Sequence, residues 1–469
     1  MTSQATVTSG TKIVPLRVLQ CAGFYFPEST GGTEVYVRDL ASALTQESIE
    51  STIVAATDGE YDAYSWDGSE VVRYPVDATR IAVGSDTSVR TRTMFQRIVE
   101  AAKPDLFHLH SWTSGAGLEH LRQVAEMGIP CVVTVHVPSP ICMRGTMLLY
   151  DQRPCDGYID DRRCARCWAL ERGLPAPAAY LLSYMPRWDL TGTGVARFSR
   201  RAATLLSARA AAAGKARELH SMAALSERIV APSEWVRSAL VENGISPTKV
   251  VVSQQSASAA FFDRKARPLQ GARPTEIVIG FLGRLERYKG AYLLVRALQL
   301  LPLDLPVQLR IAGVGGDPHL SSQLEAASRK DSRIQLIGHV EHERVPEFLA
   351  TIDVLAVPSR YMETGPIVIQ EARALGIPVM GADLGGISER VHHGVDGWLL
   401  PFDDPKPWAE AIRVAATDPA EVARLSSNMH RTRSVEDVGA EMAKLYRETV
   451  NGRAGVNQTR APSIRNGAA

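Results

Sequence analysis

Short apolar segments alternate with amphipathic helical segments along this chain, and the alternation begins twice. The predicted strands of the first series are 16–21, 51–56, 105–110, 130–136 and 228–231. Those of the second series begin at 276 and continue at 308–312, 334–337, 353–357, 378–381 and 397–400. Strands separated by helices form parallel sheets that are covered by helices on both faces. The sequence therefore predicts an α/β fold with two doubly wound domains.

The length of 469 residues suits two domains and additional segments. Arg, Pro and Gly collect at 262–274, where we predict the linker. The first domain then covers 12–265, with an insertion at about 138–222, and the second covers 275–434. A further helix is predicted at 435–450. The polar segment 451–469 is expected to be a disordered tail.

The composition is that of a soluble globular protein, and it narrows the possible partners. The formal net charge of +1 gives no bulk attraction to nucleic acid, so we expect no nucleic-acid partner. No apolar stretch reaches the ~20 residues of a membrane span. The polar start, 1–10, has no hydrophobic core and does not resemble a secretory signal. We therefore expect a cytoplasmic protein.

Two glutamates eight positions apart, Glu363 and Glu371, lie in a well-defined strand–loop–helix unit. The apolar segment 353–357 predicts a buried strand, and 366–375 predicts a helix. Glu363 therefore lies in the loop at the carboxyl end of a strand, and Glu371 lies on the helix. Ligands of open α/β sheets bind in the crevice at these strand ends. The alternative is that both glutamates belong to a solvated helix face.

The start of the same helix offers backbone N–H groups to an anion. Gly365 and Ile367 each have an N–H group that would face the crevice, whereas Pro366 has none. The helix dipole favours negative charge at this end. These residues are therefore candidate ligands for a group such as a diphosphate.

The stretch 359–379 resembles the E-x7-E signature of the retaining glycosyltransferases of family four, and the resemblance continues through 384–391 and 393–400. That family has the GT-B fold, in which two Rossmann-like domains face each other across a cleft. The last helix of that fold often returns to the first domain, and 435–450 is the corresponding segment here. The resemblance implies that Glu363 contacts the donor sugar. It also implies that Glu371 holds the ribose hydroxyls of the nucleotide.

Two cations follow the first strand of the second series. Arg284 and Lys289 lie in Gly-Arg-Leu-Glu-Arg-Tyr-Lys-Gly, 283–290, which matches a motif of the same family without a gap. A nucleotide-sugar donor needs positive charge there, because the diphosphate gains negative charge as the sugar leaves. Gly32 resembles the glycine of the family's first loop, where the backbone approaches the phosphates. A simple tight turn is the alternative for Gly32.

His136 and His110 each end a predicted strand of the first domain. The resemblance places a histidine near the transferred sugar at the position of His136, whereas a structural role is the alternative for both. Val137 follows where many relatives have an acidic residue, which weakens the case for an Asp–His pair. The segment 253–258 also departs from the family's Asn-Gly turn. The resemblance implies catalysis without a metal or other cofactor.

Four cysteines lie within 26 positions of the insertion, at Cys142, Cys155, Cys164 and Cys167. The last two have the Cys-x-x-Cys spacing of a zinc site, which suggests a structural zinc ion. An iron–sulfur cluster, a disulfide and free thiols are the alternatives. The insertion follows His136 and should shape the choice of acceptor.

The basic segment 187–217 lies in the same insertion. A solvated helix face of the first domain is one interpretation of this segment. The other is a basic amphipathic helix that lies on an anionic membrane or meets a lipid-linked acceptor, with peripheral contact at the inner membrane face. The sequence as a whole predicts a retaining transferase that moves a sugar from a nucleotide-diphosphate sugar to an acceptor hydroxyl, in the synthesis of a polysaccharide, glycolipid or small glycoside. A sugar-nucleotide-binding partner subunit and a GT-B epimerase are the alternatives.

Overall fold

The computed structural model describes residues 15–76, 89–113, 115–262, 276–429 and 432–460. Within these ranges the chain forms two large sheets that are flanked by helices, as the alternation predicts. The last strand of the first sheet ends at Val252, and the first strand of the second begins at Ile277. Apart from Phe262, the predicted linker lies outside the described residues.

The first sheet has eight strands in the order β10-β9-β6-β5-β1-β2-β4-β3. All neighbouring pairs are parallel except β3 with β4. A separate two-stranded sheet, β7 with β8, lies in the insertion. The strands are β1 (Leu16–Ala22), β2 (Ile49–Thr57), β3 (Asp62–Trp66), β4 (Ser69–Pro75), β5 (Leu106–Leu109), β6 (Cys131–Thr134), β7 (Leu148–Leu149), β8 (Arg153–Pro154), β9 (Arg228–Ala231) and β10 (Val250–Val252).

The second sheet has six parallel strands in the order β13-β12-β11-β14-β15-β16. The strand order reverses between β11 and β14. In such a sheet the loops after these two strands diverge, and the crevice between them is the usual ligand site. The strands are β11 (Ile277–Leu282), β12 (Val307–Ala312), β13 (Ile334–Gly338), β14 (Val354–Val357), β15 (Val379–Ala382) and β16 (Gly397–Leu400).

Helices connect the strands and carry most of the insertion. Those of the first domain are α1 (Gly32–Gln46), α2 (Val89–Ala102), α3 (Leu118–Glu126), α4 (Asp161–Glu171), α5 (Ala176–Leu182), α6 (Gly194–Phe198), α7 (Arg200–Leu206), α8 (Ala208–Leu225) and α9 (Glu234–Glu242). The others are α10 (Ala291–Leu298), α11 (Pro318–Lys330), α12 (Val345–Leu349), α13 (Ile367–Ala374), α14 (Pro405–Thr417), α15 (Pro419–Ser427) and α16 (Val435–Arg460). None of the described helices has the length and apolar character that a bilayer crossing requires.

The predicted strands are all present, with ends that differ by one or two residues. The sequence reading missed the β3–β4 hairpin at the edge of the first sheet. β3 lies outermost and is largely exposed, so it lacks the buried apolar run that marks the central strands. The predicted strand 130–136 ends at Thr134, two residues before His136.

The C-terminal helix α16 returns to the first domain and packs on α1. Val438, Met442 and Tyr446 are buried there in one apolar cluster with Leu40 and Leu44 of α1. The prediction of a disordered tail from residue 451 was wrong for 451–460, because α16 continues to Arg460. One cause is an ion pair of 2.7 Å between Arg453 and Glu227, which fixes the helix beyond the predicted end. The rest of the predicted tail lies outside the described residues.

Two glycines of α16 allow a test of this packing. A methyl group at Gly439 would lie 2.6 Å from Cβ of Ala43 in α1, whereas one at Gly452 would meet nothing within 4 Å. Alanine favours a helix over glycine by about 1 kcal/mol. We expect Gly452→Ala to raise the melting temperature slightly. Gly439→Ala should lower it, because overpacking costs about 1–3 kcal/mol. Equal shifts for the two variants would show that α16 does not pack closely on α1.

Candidate functional site

Side chains from the loops after β11 and β14 meet across the crevice where the strand order reverses. Lys289 follows β11 and Glu363 follows β14, and their side chains form an ion pair of 2.7 Å. Gly290 makes this approach possible, since its φ of 78° is left-handed and a Cβ there would lie 1.9 Å from the Pro358 carbonyl oxygen. The structure therefore brings these two predicted site residues together.

The Glu363 carboxylate is held by three side chains. Lys289 Nζ and Ser359 Oγ both donate to Oε1 at 2.7 Å, and the Tyr361 hydroxyl donates to Oε2. Tyr361 also accepts from Lys289 Nζ at 3.1 Å. Glu363 itself is only 6% exposed. A buried carboxylate with this many donors is held in a defined position.

Helix α13 begins beside the first domain. Pro366 is its N-cap residue and makes no side-chain capping hydrogen bond. Gly32, at the start of α1, faces it, because a methyl group at Gly32 would lie 3.6 Å from Ile367 Cδ1. Gly365 precedes the cap. The predicted glycine of the first domain and the predicted amides of the second therefore border the same space.

Arg284 is exposed and lies in the loop after β11. Burial raises the pKa of Glu34 in the first turn of α1, and the nearby guanidinium of Arg284 opposes that shift. Burial likewise raises the pKa of Tyr361, with Arg284 again opposing it. The charge of Arg284 therefore acts on groups of both domains.

Glu371 lies on α13, is 5% exposed, and differs electrostatically from Glu363. Its carboxyl group forms no ion pair or side-chain hydrogen bond within the described part of the chain. The pKa of Glu371 is raised to about 8, chiefly by burial and also by the charge of Asp39, while Arg38 opposes the shift. Glu371 therefore keeps its proton near neutral pH while no ligand is bound.

His136 belongs to a buried chain of hydrogen bonds. Its Nε2 lies 3.2 Å from His110 Nδ1, and its Nδ1 lies 3.3 Å from Gln255 Nε2. His110 Nε2 lies 2.7 Å from Gln20 Oε1. The amide of Gln255 donates to Nδ1, so Nε2 of His136 carries the proton and donates to His110. His110 in turn donates to Gln20, so both ring nitrogens of His136 and of His110 have matching partners, whereas Gln255 Oε1 is buried without a partner among the described residues.

The histidines of this hydrogen-bonded series are neutral. Burial lowers the pKa of His136 to about 3. Burial and the neighbouring histidines lower the pKa of His110 well below its ordinary value. His108 extends the cluster and lies 2.6 Å from the hydroxyl of Tyr446 on α16, which ties the returning helix to the site. A neutral His136 offers hydrogen bonds rather than charge.

The loop that carries Glu363 contacts the first domain at three points. The Thr364 hydroxyl donates to the His136 carbonyl at 2.6 Å, and the indole of Trp235 donates to the Glu363 carbonyl at 2.8 Å. The Met362 amide donates to the Thr146 carbonyl of the insertion at 3.0 Å. The position of Glu363 is therefore fixed by both domains.

A second contact between the domains lies beside the first. The carboxylate of Glu389 accepts from the backbone amides of Glu234 and Trp235, each at 2.8 Å, and so caps α9. Arg390 donates to the Pro232 carbonyl at 2.8 Å. Burial lowers the pKa of Arg390 to about 10, which leaves it charged at neutral pH.

The four cysteines of the insertion do not assemble into a metal centre. Among the described residues, no three His, Cys, Asp or Glu side chains are grouped so that they could hold a metal ion. The Cys167 sulfur accepts hydrogen bonds from Arg144 Nη1 and the Tyr150 amide, both at 3.3 Å. All four are free thiols, and burial raises the pKa of Cys164 to about 12. The prediction of a structural zinc ion or iron–sulfur cluster is therefore not confirmed.

Several residues of the site were missed at the sequence level. Tyr361 lies inside the glutamate stretch, so its position could have been noticed. Gln255 lies where the family has an Asn-Gly turn, and it matches no motif that would mark it as a site residue. Trp235 and Glu389 lie 154 positions apart, and no local pattern connects them.

Two family profiles match the chain. The profile described as glycosyl transferases group 1 matches residues 263–432. The profile described as glycosyl transferase 4-like domain matches residues 31–253. The two matches follow the division into two sheets.

Among curated proteins, the chain is similar to D-inositol 3-phosphate glycosyltransferases. It is 31% identical to that of Rhodococcus erythropolis over 219 residues, which covers 44% of this chain and 49% of the relative. Several such matches span about half the length of the relative. The match to the Paenarthrobacter aurescens protein is 27% identical and covers 90% of this chain and 94% of that relative.

Solved structures share the fold at low identity. Sucrose-phosphate synthase from Thermosynechococcus elongatus aligns with a TM-score of 0.63 and 17% identity, covering 93% of this chain and 100% of that one. Anabaena Alr3699/HepE in complex with UDP aligns with a TM-score of 0.56 and 16% identity, covering 95% and 99%. The fold is GT-B, as the sequence predicts.

The raised pKa of Glu371 predicts a pH-dependent stability. The folded protein holds this proton up to about pH 8, and the unfolded chain loses it near pH 4.5. Stability should therefore fall as pH rises between these values. Glu371→Gln should remove this fall in stability, because glutamine has no proton to lose. Above pH 8 the variant should be more stable than the parent by about 2–4 kcal/mol, and near pH 4.5 the two should be equally stable. Thermal unfolding across this range measures the effect, and parallel profiles would contradict it.

The contact between Trp235 and the Glu363 carbonyl predicts local protection. Trp235→Phe keeps the ring and removes the donor. A lost hydrogen bond of about 1 kcal/mol should speed hydrogen exchange of amides in 359–366 about fivefold. Trp188→Phe, which alters an exposed indole in the insertion, is the matched control. Unchanged exchange in Trp235→Phe would show that this contact does not hold the loop.

Proposed function

Because the chain belongs to the glycosyl transferases group 1 family, we propose that it is a retaining glycosyltransferase that uses a nucleotide-diphosphate sugar. The observation that carries the proposal is the ion pair between Lys289 and Glu363 where the strand order reverses. It joins a cation suited to a diphosphate with a carboxylate suited to sugar hydroxyls. Both groups lie at the edge of the sheet where α/β folds bind ligands.

The donor diphosphate would lie between the two domains. Arg284 and Lys289 would face its oxygens, together with the amides of Gly365 and Ile367 at the start of α13. Gly32 has no side chain to obstruct the approach from the first domain. We propose that Glu371 accepts hydrogen bonds from the ribose hydroxyls. An ionised carboxylate does this best, so nucleotide binding should be accompanied by loss of its proton.

The sugar would be transferred on one face of the ring. As its bond to the diphosphate breaks, negative charge develops on the leaving oxygen, and the positive groups of the β11 loop stabilise it. The leaving phosphate accepts the proton of the acceptor hydroxyl, whose oxygen forms the new bond with the anomeric configuration retained. Glu363 would orient the sugar through hydroxyls remote from the reacting carbon. The charge is met by the protein's own cations, and no metal takes part in this scheme.

His136 would serve as a neutral hydrogen-bonding group beside the sugar. The carbonyl oxygen of His136 accepts a hydrogen bond from the Thr364 hydroxyl. A movement of the Glu363 loop would therefore change the position of His136. Its Nε2 proton points toward His110. We propose that a sugar hydroxyl replaces one of these ring contacts when the donor binds.

The acceptor carries a hydroxyl group, and the relatives suggest which acceptors and donors to test first. The relatives named D-inositol 3-phosphate glycosyltransferase suggest a phosphorylated cyclitol as a first candidate. Structures of a fold relative with UDP and UDP-glucose suggest uridine donors as the first to test. A glycolipid or a growing polysaccharide would fit the same cleft chemistry.

The experiment incubates the purified chain with a panel of nucleotide sugars, with and without inositol phosphate. A transferase releases free nucleoside diphosphate, slowly by hydrolysis and faster with its acceptor. An epimerase instead returns a changed sugar nucleotide, and a binding subunit returns the donor intact. Either of these results would overturn the proposal.

Lys289→Met should lower turnover at least about 30-fold, which corresponds to ~2 kcal/mol of lost transition-state stabilisation. The affinity for the free diphosphate should fall less, because Arg284 and the amides remain. Lys330→Met, at the exposed end of α11, is the matched control and should be neutral. Equal turnover in the two variants would show that Lys289 takes no part in the reaction.

A further inference from the structure

Helix α5 and the segment after it expose apolar side chains to solvent. Tyr180, Leu181, Tyr184 and Trp188 are 45–68% exposed, and we call these four the aromatic patch. The opposite side of α5 is buried, because Ala179 and Leu182 pack with others into a small separate core. The patch is therefore the outward side of a helix that is already anchored, and its exposure does not result from loose packing.

Arginines border the patch directly. The guanidinium of Arg162 lies 4.9 Å from the ring centre of Tyr184, and that of Arg166 lies 5.5 Å from the ring of Tyr180. Arg187, beside Trp188, is 61% exposed in its ion pair with Asp161. Aromatic rings next to arginines are typical of the region where a protein meets lipid headgroups.

The charge of the insertion differs from that of the rest of the chain. Residues 160–220 contain eleven Lys and Arg and five Asp and Glu, a net charge of +6, whereas the whole chain carries +1. The predicted single basic helix is in fact three helices, α6, α7 and α8. In α8, Arg209 pairs with Asp161 and Lys215 pairs with Glu218.

Three arginines without an ion-pair partner in the described part of the chain lie closer in sequence to the aromatic patch than the paired residues Arg209 and Lys215 do. Arg197, Arg200 and Arg201 are exposed and form no ion pair with any described residue. A surface that combines excess positive charge with exposed aromatic rings is complementary to an anionic layer with an apolar interior.

We propose that the aromatic patch and these arginines dock the protein on an anionic lipid surface. Leu181 and Trp188 would enter the boundary between headgroups and acyl chains, and the arginines would contact lipid phosphates. A second copy of the chain is a poor occupant, because it would bring a surface of the same positive sign against this one. Docking would hold the insertion at the membrane, and the insertion also contacts the Glu363 loop through Thr146.

The test measures binding of the full chain to vesicles by flotation. Vesicles contain phosphatidylcholine alone or with phosphatidylglycerol. The parent should prefer the anionic vesicles at least about tenfold at low salt, since each arginine near such a surface contributes about fivefold. Rising salt should weaken binding, because exposed charges are screened.

Two variants separate the apolar and charged contributions. Leu181→Asn with Trp188→Asn, and Arg200→Glu with Arg201→Glu, should each reduce binding about tenfold or more. All four side chains are exposed, so folding should be retained. Leu303→Asn, a 76% exposed leucine in the other domain, is the control and should bind like the parent.

Three results would overturn the inference. They are no preference for anionic vesicles, unchanged binding of both double variants, and self-association of the parent that either double variant abolishes. Vesicle binding requires no turnover, so the vesicle assay can be interpreted even if the proposed transferase activity is not found. Conversely, donor hydrolysis should be unchanged in the double variants, since none of their residues lies in the donor site.

Discussion

The carboxylate of Glu363, paired with Lys289, is the interaction on which the rest of the site depends. Its side chain is bound within the second domain, and the carbonyl of the same residue is bound by Trp235 of the first. A residue held by both domains has a defined position only when the domains are in contact. The geometry of the site is therefore a consequence of the interface as well as of the second sheet.

The contacts between the domains include polar groups with specific partners, which makes the arrangement of the domains specific. The buried Arg390 must be hydrogen-bonded, and it finds the Pro232 carbonyl of the other domain. Glu389 fills the N-terminus of α9, where unpaired amides would otherwise be left. An error in the relative position of the domains would leave these groups unsatisfied. The same contacts that join the domains thus also select the arrangement that places Glu363.

The sequence was sufficient for the fold and for residues within one local unit. Buried strands are continuous apolar runs, so β11 and β14 and the groups that follow them could be located. The edge strand β3 carries no such run and was missed. Gln255 and Tyr446 reach the histidines from remote parts of the chain. Their contacts depend on how the domains and α16 pack, which no periodicity records. The spacing of the four cysteines predicts a metal site that is not confirmed, and spacing alone does not fix where side chains point.

The two glutamates of one motif show why position in sequence does not determine chemistry. Glu363 lies in a loop that meets a lysine, so its negative charge is compensated before any ligand arrives. Glu371 lies on a helix against the first domain, where burial and Asp39 raise its pKa to about 8. A ligand that donates hydrogen bonds to Glu371 would stabilise the ionised form of its carboxyl group. The fold thus supplies the partners of the Glu363 carboxylate, whereas the partners of the Glu371 carboxylate would come from the ligand.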